Sequence, residues 1–112
     1  MLTIIGNDVH MIRGDTEQLV VTCQFSDGTE RPFEAGDTVT LTVAWPMGPT
    51  VLQKRVTDFV EGAAVISIAH ADTNELAPNA YRYDVQLTTR DGTVATIIPP
   101  AKFVLEGDVT RD

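Results

Sequence analysis

The sequence predicts an all-β fold, an antiparallel β-sandwich of seven or eight short strands. Three observations predict it. Apolar and polar residues alternate, most clearly where Tyr81, Tyr83, Val85 and Leu87 are separated by Arg82, Asp84 and Gln86. A period of two marks a strand with one buried and one wet face. Turn signals, among them Asp27-Gly28, Glu61-Gly62 and Asp91-Gly92, recur at a spacing of roughly ten residues, as in sandwiches. Finally, the chain has no βαβ alternation and no heptad pattern, which removes parallel α/β and coiled-coil architectures. A small closed barrel is the alternative that shares these signals.

The strands follow in order. Leu2 to Ile5 and Val9 to Ile12 are short apolar runs broken by Gly6-Asn7-Asp8, read as one bent or interrupted strand. Arg13-Gly14-Asp15-Thr16 is a turn. From Glu17 to Phe25, Leu19, Val21, Cys23 and Phe25 fall inward; Val20 breaks the pattern and needs cover from another element. Ser26-Asp27-Gly28-Thr29 turns the chain, with Gly28 as the permissive residue. Thr38 to Trp45 alternates threonine with Val39, Leu41, Val43 and Trp45, which suits a half-buried sheet. Thr50 to Val56 carries Lys54-Arg55, charges that blunt a sheet edge. Ala64, Ile66 and Ile68 mark the next strand.

One helical turn is expected near residues 72–76. Asp72 is positioned to cap it, with Glu75 three residues on as in a capping box, and Pro78 limits its length. The Tyr81 strand then leads to Asp91-Gly92, where a tight hairpin turn needs positive φ values. Pro99-Pro100 is expected to break the pairing before a last strand from Lys102 to Leu105. Residues 1–106 thus form a single domain, and residues 107–112 an exposed polar tail.

Bulk properties narrow the function. With 112 residues and 43% hydrophobic composition the chain supports a single core. Its net charge of −8 repels phosphate backbones, so no nucleic-acid partner is expected. No run approaches the ~20 apolar residues of a membrane span, so no membrane partner is expected either. The N-terminus has no basic segment ahead of its short apolar run, so no signal peptide is read and a cytoplasmic origin is expected. Cys23 is the single cysteine; it cannot form an internal disulfide and reads as a small buried hydrophobe.

Chemistry-bearing constellations are absent from the sequence. His10 and His70 are far apart, and adding Asp8 or Asp72 gives no metal-ligand spacing. Ser26 and Ser67 lie outside any nucleophile elbow. Asp27, Glu30, Asp37 and Asp58 lack the spacing of a calcium loop and read as turn-forming or solubilising. No phosphate-binding glycine loop occurs. No catalytic residue, metal or cofactor is therefore assigned, and the protein reads as not an enzyme. Arg13-Gly14-Asp15 matches an integrin-recognition tripeptide, but a glycine turn with Asp15 bonded to nearby backbone is the preferred reading.

Two features point to building and contact. Leu76, Pro78 and Tyr81, leading into a strand, match the tyrosine corner of Greek-key sandwiches, where the hydroxyl bonds to upstream backbone. Trp45, Pro46, Met47 and Pro49 surround an apolar loop. Trp45 is in phase with the core, while the loop beyond it is a candidate interface.

Landmarks in order carry a family resemblance: Arg13-Gly14-Asp15-Thr16, then Ile66-Ser67-Ile68 with Asp72-Thr73, then Leu76 to Leu87 and Asp91-Gly92-Thr93. The pattern resembles the small immunoglobulin-like β-sandwich of tailed-phage and prophage structural proteins, most nearly the N-terminal domain of phage baseplate upper proteins. There a Gly-Asp-Thr opens the domain, and a Tyr-x-Tyr-Asp-(Val/Ile)-Gln strand and an Asp-Gly turn close it. The chain departs from the family in carrying no coiled coil or receptor-binding module before Asp112, so a free-standing module is expected.

The resemblance implies a non-enzymatic virion component, assembled in the bacterial cytoplasm, that contacts other tail or baseplate subunits or itself, with a homo-oligomer as one outcome. The alternative is a carbohydrate- or protein-binding sandwich of a bacterial surface system. Its sugar-binding form calls for exposed aromatics, whereas Tyr81, Tyr83 and Trp45 all read as inward.

Overall fold

A computed structural model describes residues 2–109. In chain order the elements are β1 (Thr3–Ile5), β2 (Asp8–Ile12), β3 (Glu17–Val21), β4 (Thr38–Ala44), β5 (Thr50–Val56), β6 (Ala64–Ile68), α1 (His70–Thr73), β7 (Asn79–Thr88) and β8 (Val94–Glu106). The fold is all-β, with one sheet of order β1-β2-β8-β7-β4-β5 and a second formed by β3 and β6. The inward side chains of both sheets meet in one core.

Alternation builds that core. On β4, Val39, Leu41 and Val43 are buried while the threonines between them stay half-exposed. On β7, Tyr81, Tyr83, Val85 and Leu87 are buried in the predicted phase. Leu19 and Val21 of β3 and Ala64, Ile66 and Ile68 of β6 complete it from the smaller sheet. Burying one such aliphatic side chain contributes about 1.5–3 kcal/mol.

The larger sheet is mixed rather than wholly antiparallel. β2 runs parallel to β8, with Val9 beside Phe103 and Met11 beside Leu105. A pairing between the two ends of the chain leaves no local turn signal. The first apolar runs are likewise not one bent strand: β1 folds back on β2, Ile5 facing Asp8, through a turn in which Gly6 has a φ of 62°.

Pro99-Pro100 does not end the pairing with β7. β8 continues through it, and the register slips twice between Tyr83 and Gln86. The prolines are tolerated because β2 lies beside only Phe103–Glu106, so the outer edge of β8 is free where they fall.

The helical turn starts earlier than expected. Ala69, not Asp72, is at the cap; it has no side-chain acceptor, and the Asp72 carboxylate reaches back to accept from the Ala69 N–H at 2.7 Å. Asp72 thus fills the third-position role expected of Glu75 in a capping box. Burial pushes the Asp72 carboxyl up, but its bonds from Lys54 and Ala69 outweigh this and hold it below the ordinary value.

The Asp-Gly turns are longer than a two-residue hairpin. Only Gly92 has a positive φ, 89°, and Thr89 and Thr93 close a three-residue loop by a bond of 2.9 Å. Phe25 and Thr29 close the first Asp-Gly turn in the same way, with Gly28 at 89°. A single left-handed glycine after a type I turn is the usual three-residue solution. Glu61-Gly62 is the two-residue case, both residues having positive φ between Val60 and Ala63.

Three burial expectations change. Val20 is uncovered, Phe25 is 57% exposed, and Cys23 is only partly buried, because regular strand ends at Val21. The segment read as an exposed polar tail is bonded to the domain near its start, where Asp108 meets Arg13. Residues 110–112 of that predicted tail lie outside the described residues.

Candidate functional site

The β4–β5 loop sits on an aromatic base. Trp45 is half-buried and its ring lies 4.6 Å from that of Tyr81 at 52°. Such a pair adds about 0.5–1.5 kcal/mol beyond area burial. The Tyr81 hydroxyl donates to the Ala77 carbonyl at 2.5 Å, the back-bond expected from Leu76-Ala77-Pro78. Burial pushes the Tyr81 phenol above its ordinary range.

From this base the loop projects. The Trp45 N–H donates to Pro49 at 3.1 Å, and the Gly48 N–H to Trp45 at 2.9 Å, so the turn is closed at both ends. Pro46, Gly48 and Pro49 are exposed, and Met47 is fully so. Met47 also has a φ of 58°. A non-glycine residue in that region costs about 1–2 kcal/mol, so the side chain is held outward against local preference.

The motifs singled out from the sequence converge at this same end of the strands. The Gly14 N–H donates to Thr73 Oγ1 at 2.8 Å, and the Gly14 carbonyl lies 2.6 Å from His70 Nδ1. Thr73 is fully buried. Gly14 has a φ of 84°, and an added Cβ would crowd Asn74 and His70 at 3.3 and 3.4 Å. Arg13 donates to Asp108 at 3.0 Å and to the Leu76 carbonyl at 3.3 Å. The Asp15 N–H bonds to Ile12 at 3.2 Å. Arg13-Gly14-Asp15 is therefore tied into the fold.

The opposite end carries the ion pair that sequence reasoning missed. Asp37, read as a turn or solubilising residue, is 3% exposed. It accepts from Arg31 at 2.7 Å and from the Glu34 N–H at 3.0 Å. The bond from Arg31 holds its carboxyl below the ordinary value and raises that of the guanidinium. Asp37 just before an alternating strand was a weak signal, because nothing local distinguishes it from Asp27. Asp27 is exposed and accepts from the Thr29 hydroxyl and N–H at 2.6 and 2.9 Å, which lowers its own pKa.

Other candidates stay apart. His10 is on β2, His70 is on α1, and Cys23 follows β3. Asp8 accepts from the Lys102 N–H at 3.0 Å, and Asp72 pairs with Lys54 at 2.8 Å. Among the described residues, no three His, Cys, Asp or Glu side chains form a group able to hold a metal ion. No helix of the described residues is long and apolar enough to cross a membrane.

Comparison with protein-family models, with curated proteins and with solved structures returns no match to this chain.

Proposed function

We propose that this chain is a non-enzymatic assembly module that works through protein–protein contacts, in the tail or baseplate of a tailed phage or prophage. The observation that carries the contact role is the Trp45–Pro49 loop: fully exposed Met47, held by a left-handed backbone, above an aromatic base. An apolar group fixed outward on a braced loop suits insertion into a partner's pocket.

The phage setting rests on the ordered motifs from Gly14-Asp15-Thr16 to Asp91-Gly92-Thr93. The finer fold reading is an immunoglobulin-like Greek-key sandwich. In its support, β3 pairs with β6, while β4, β7 and β8 are neighbours in the other sheet. That is the connectivity of a sandwich whose second and fifth strands face its third, sixth and seventh. A sugar-binding role gains no support, because Tyr81 and Tyr83 are buried and Trp45 is half-buried.

The test places a photo-crosslinking amino acid at position 47 in cells carrying the gene in its native genomic setting. Cross-links to a tail or baseplate subunit are expected. Met47→Asp should leave the unfolding midpoint unchanged and reduce incorporation of the chain by about tenfold, the effect of burying an unpaired charge at a contact. Undiminished incorporation of the variant would remove the loop from the interface.

A further inference from the structure

β8 has an edge that no strand among the described residues fills. β2 runs beside only Phe103–Glu106, and Pro99-Pro100 stop that pairing from extending, since neither has an N–H to offer. Toward the start of β8, residues 94–98 pair with β7 on one side. On the other side no strand among the described residues lies against them. Unpaired strand edges are templates for another chain.

Beside this edge runs a groove of about 730 Å³. Leu87, Ala95 and Ile97 line one side, and Cys23 and Phe25 the other. Its size is within the roughly 300–1,000 Å³ of ordinary binding sites. Phe25 is 57% exposed, so apolar surface is left uncovered at its rim.

Among the residues lining the groove Arg31 alone is charged, and carboxylates gather beside it. Glu34 and Asp91 line the adjoining pocket with Arg90, and Asp27 and Glu30 lie on the turn that follows Phe25. Both cations are engaged, Arg31 with Asp37 at 2.7 Å and Arg90 with the Ala35 carbonyl at 3.1 Å. The surplus negative charge selects a cationic occupant.

We infer that this edge and groove take up an extended, lysine- or arginine-flanked segment of another protein by β-strand addition. The backbone of the segment bonds to residues 94–98, alternate apolar side chains enter the groove, and its cations meet the carboxylates. A second copy of this chain is disfavoured by the net charge of −8, and on its cation-bearing edge strand β5 Lys54 is already paired with Asp72. The site lies at the other end of the strands from Trp45, because Val94 pairs with Thr88 whereas Ala44 pairs with Arg82. It stands independently of the loop contact.

The test titrates the synthetic peptide Lys-Lys-Val-Thr-Val-Thr-Val-Lys-Lys into the isotope-labelled protein. Saturable binding is expected, with amide exchange slowed at residues 94–98. Thr96→Lys puts a cation on the exposed edge without touching the core. It should weaken binding by about tenfold or more and leave the unfolding midpoint in place. A peptide with glutamates in place of the lysines should be weaker by a similar factor. Unchanged exchange at residues 94–98 with millimolar peptide would overturn the inference. So would equal binding of the glutamate peptide, or dimerisation of the chain through this edge in sedimentation.

Discussion

Tyr81→Phe removes a single buried oxygen and with it the bond to Ala77. The Ala77 carbonyl loses its buried partner, so the variant should be less stable by about 1–2 kcal/mol in chemical denaturation. Thr73→Val should cost about 1–3 kcal/mol, because it leaves the Gly14 N–H facing a methyl group. These two residues also show what could be read in advance. Tyr81 was legible, because its partner lies four residues away and Leu76 and Pro78 announce it. Thr73 was not, because its partner is 59 residues away and a threonine in a short turn looks like any other. Asp37 was missed although its partners Arg31 and Glu34 are only six and three residues away, because nothing in the local sequence marks it as buried. It also makes a pH prediction. Its folded pKa is depressed, so its contribution is complete above the ordinary aspartate value and is lost as pH falls through the folded one. Asp37→Asn should therefore unfold with a flatter pH dependence than the parent between about pH 5 and pH 2.

At the level of elements, the strands with clean alternation were legible and the ones shaped by distant partners were not. β4 and β7 pair from Thr38 opposite Thr88 to Ala44 opposite Arg82, each burying the face its sequence marks. Lys54-Arg55 lies on β5, which ends the larger sheet, so the edge signal was read correctly. β8 misled because prolines forbid one donor at a time; they do not forbid a strand whose outer edge is free there. The glycine turns separate two effects. Gly92 has a φ of 89° with nothing near its Cβ position, and Gly14 has a φ of 84° with neighbours at 3.3–3.4 Å. Gly92→Ala should cost about 1 kcal/mol from backbone strain alone. Gly14→Ala should cost more, because His70 and Asn74 must also give way. Equal unfolding midpoints for the two variants would show that the contact around α1 is not tight.

At the scale of the whole molecule, two sheets and one core hold two differently built ends. One end gathers Gly14, Thr73, Tyr81 and Arg13 and projects Met47. The other is acidic, with an uncovered strand edge and a groove of mixed polar and apolar lining. Sequence reasoning found the all-β fold and the Met47 loop. It did not find the groove, because a vacancy beside a strand leaves no residue pattern of its own. Under the proposed assembly role, each end would meet a neighbouring subunit. The most direct measurement is mass spectrometry of particles purified by density gradient from cells that carry the gene in its native setting. The chain is predicted to co-purify with intact particles or tails in a fixed ratio to a tail subunit. Its complete recovery in the particle-free fraction, from cells that are producing particles, would overturn the proposed assembly role.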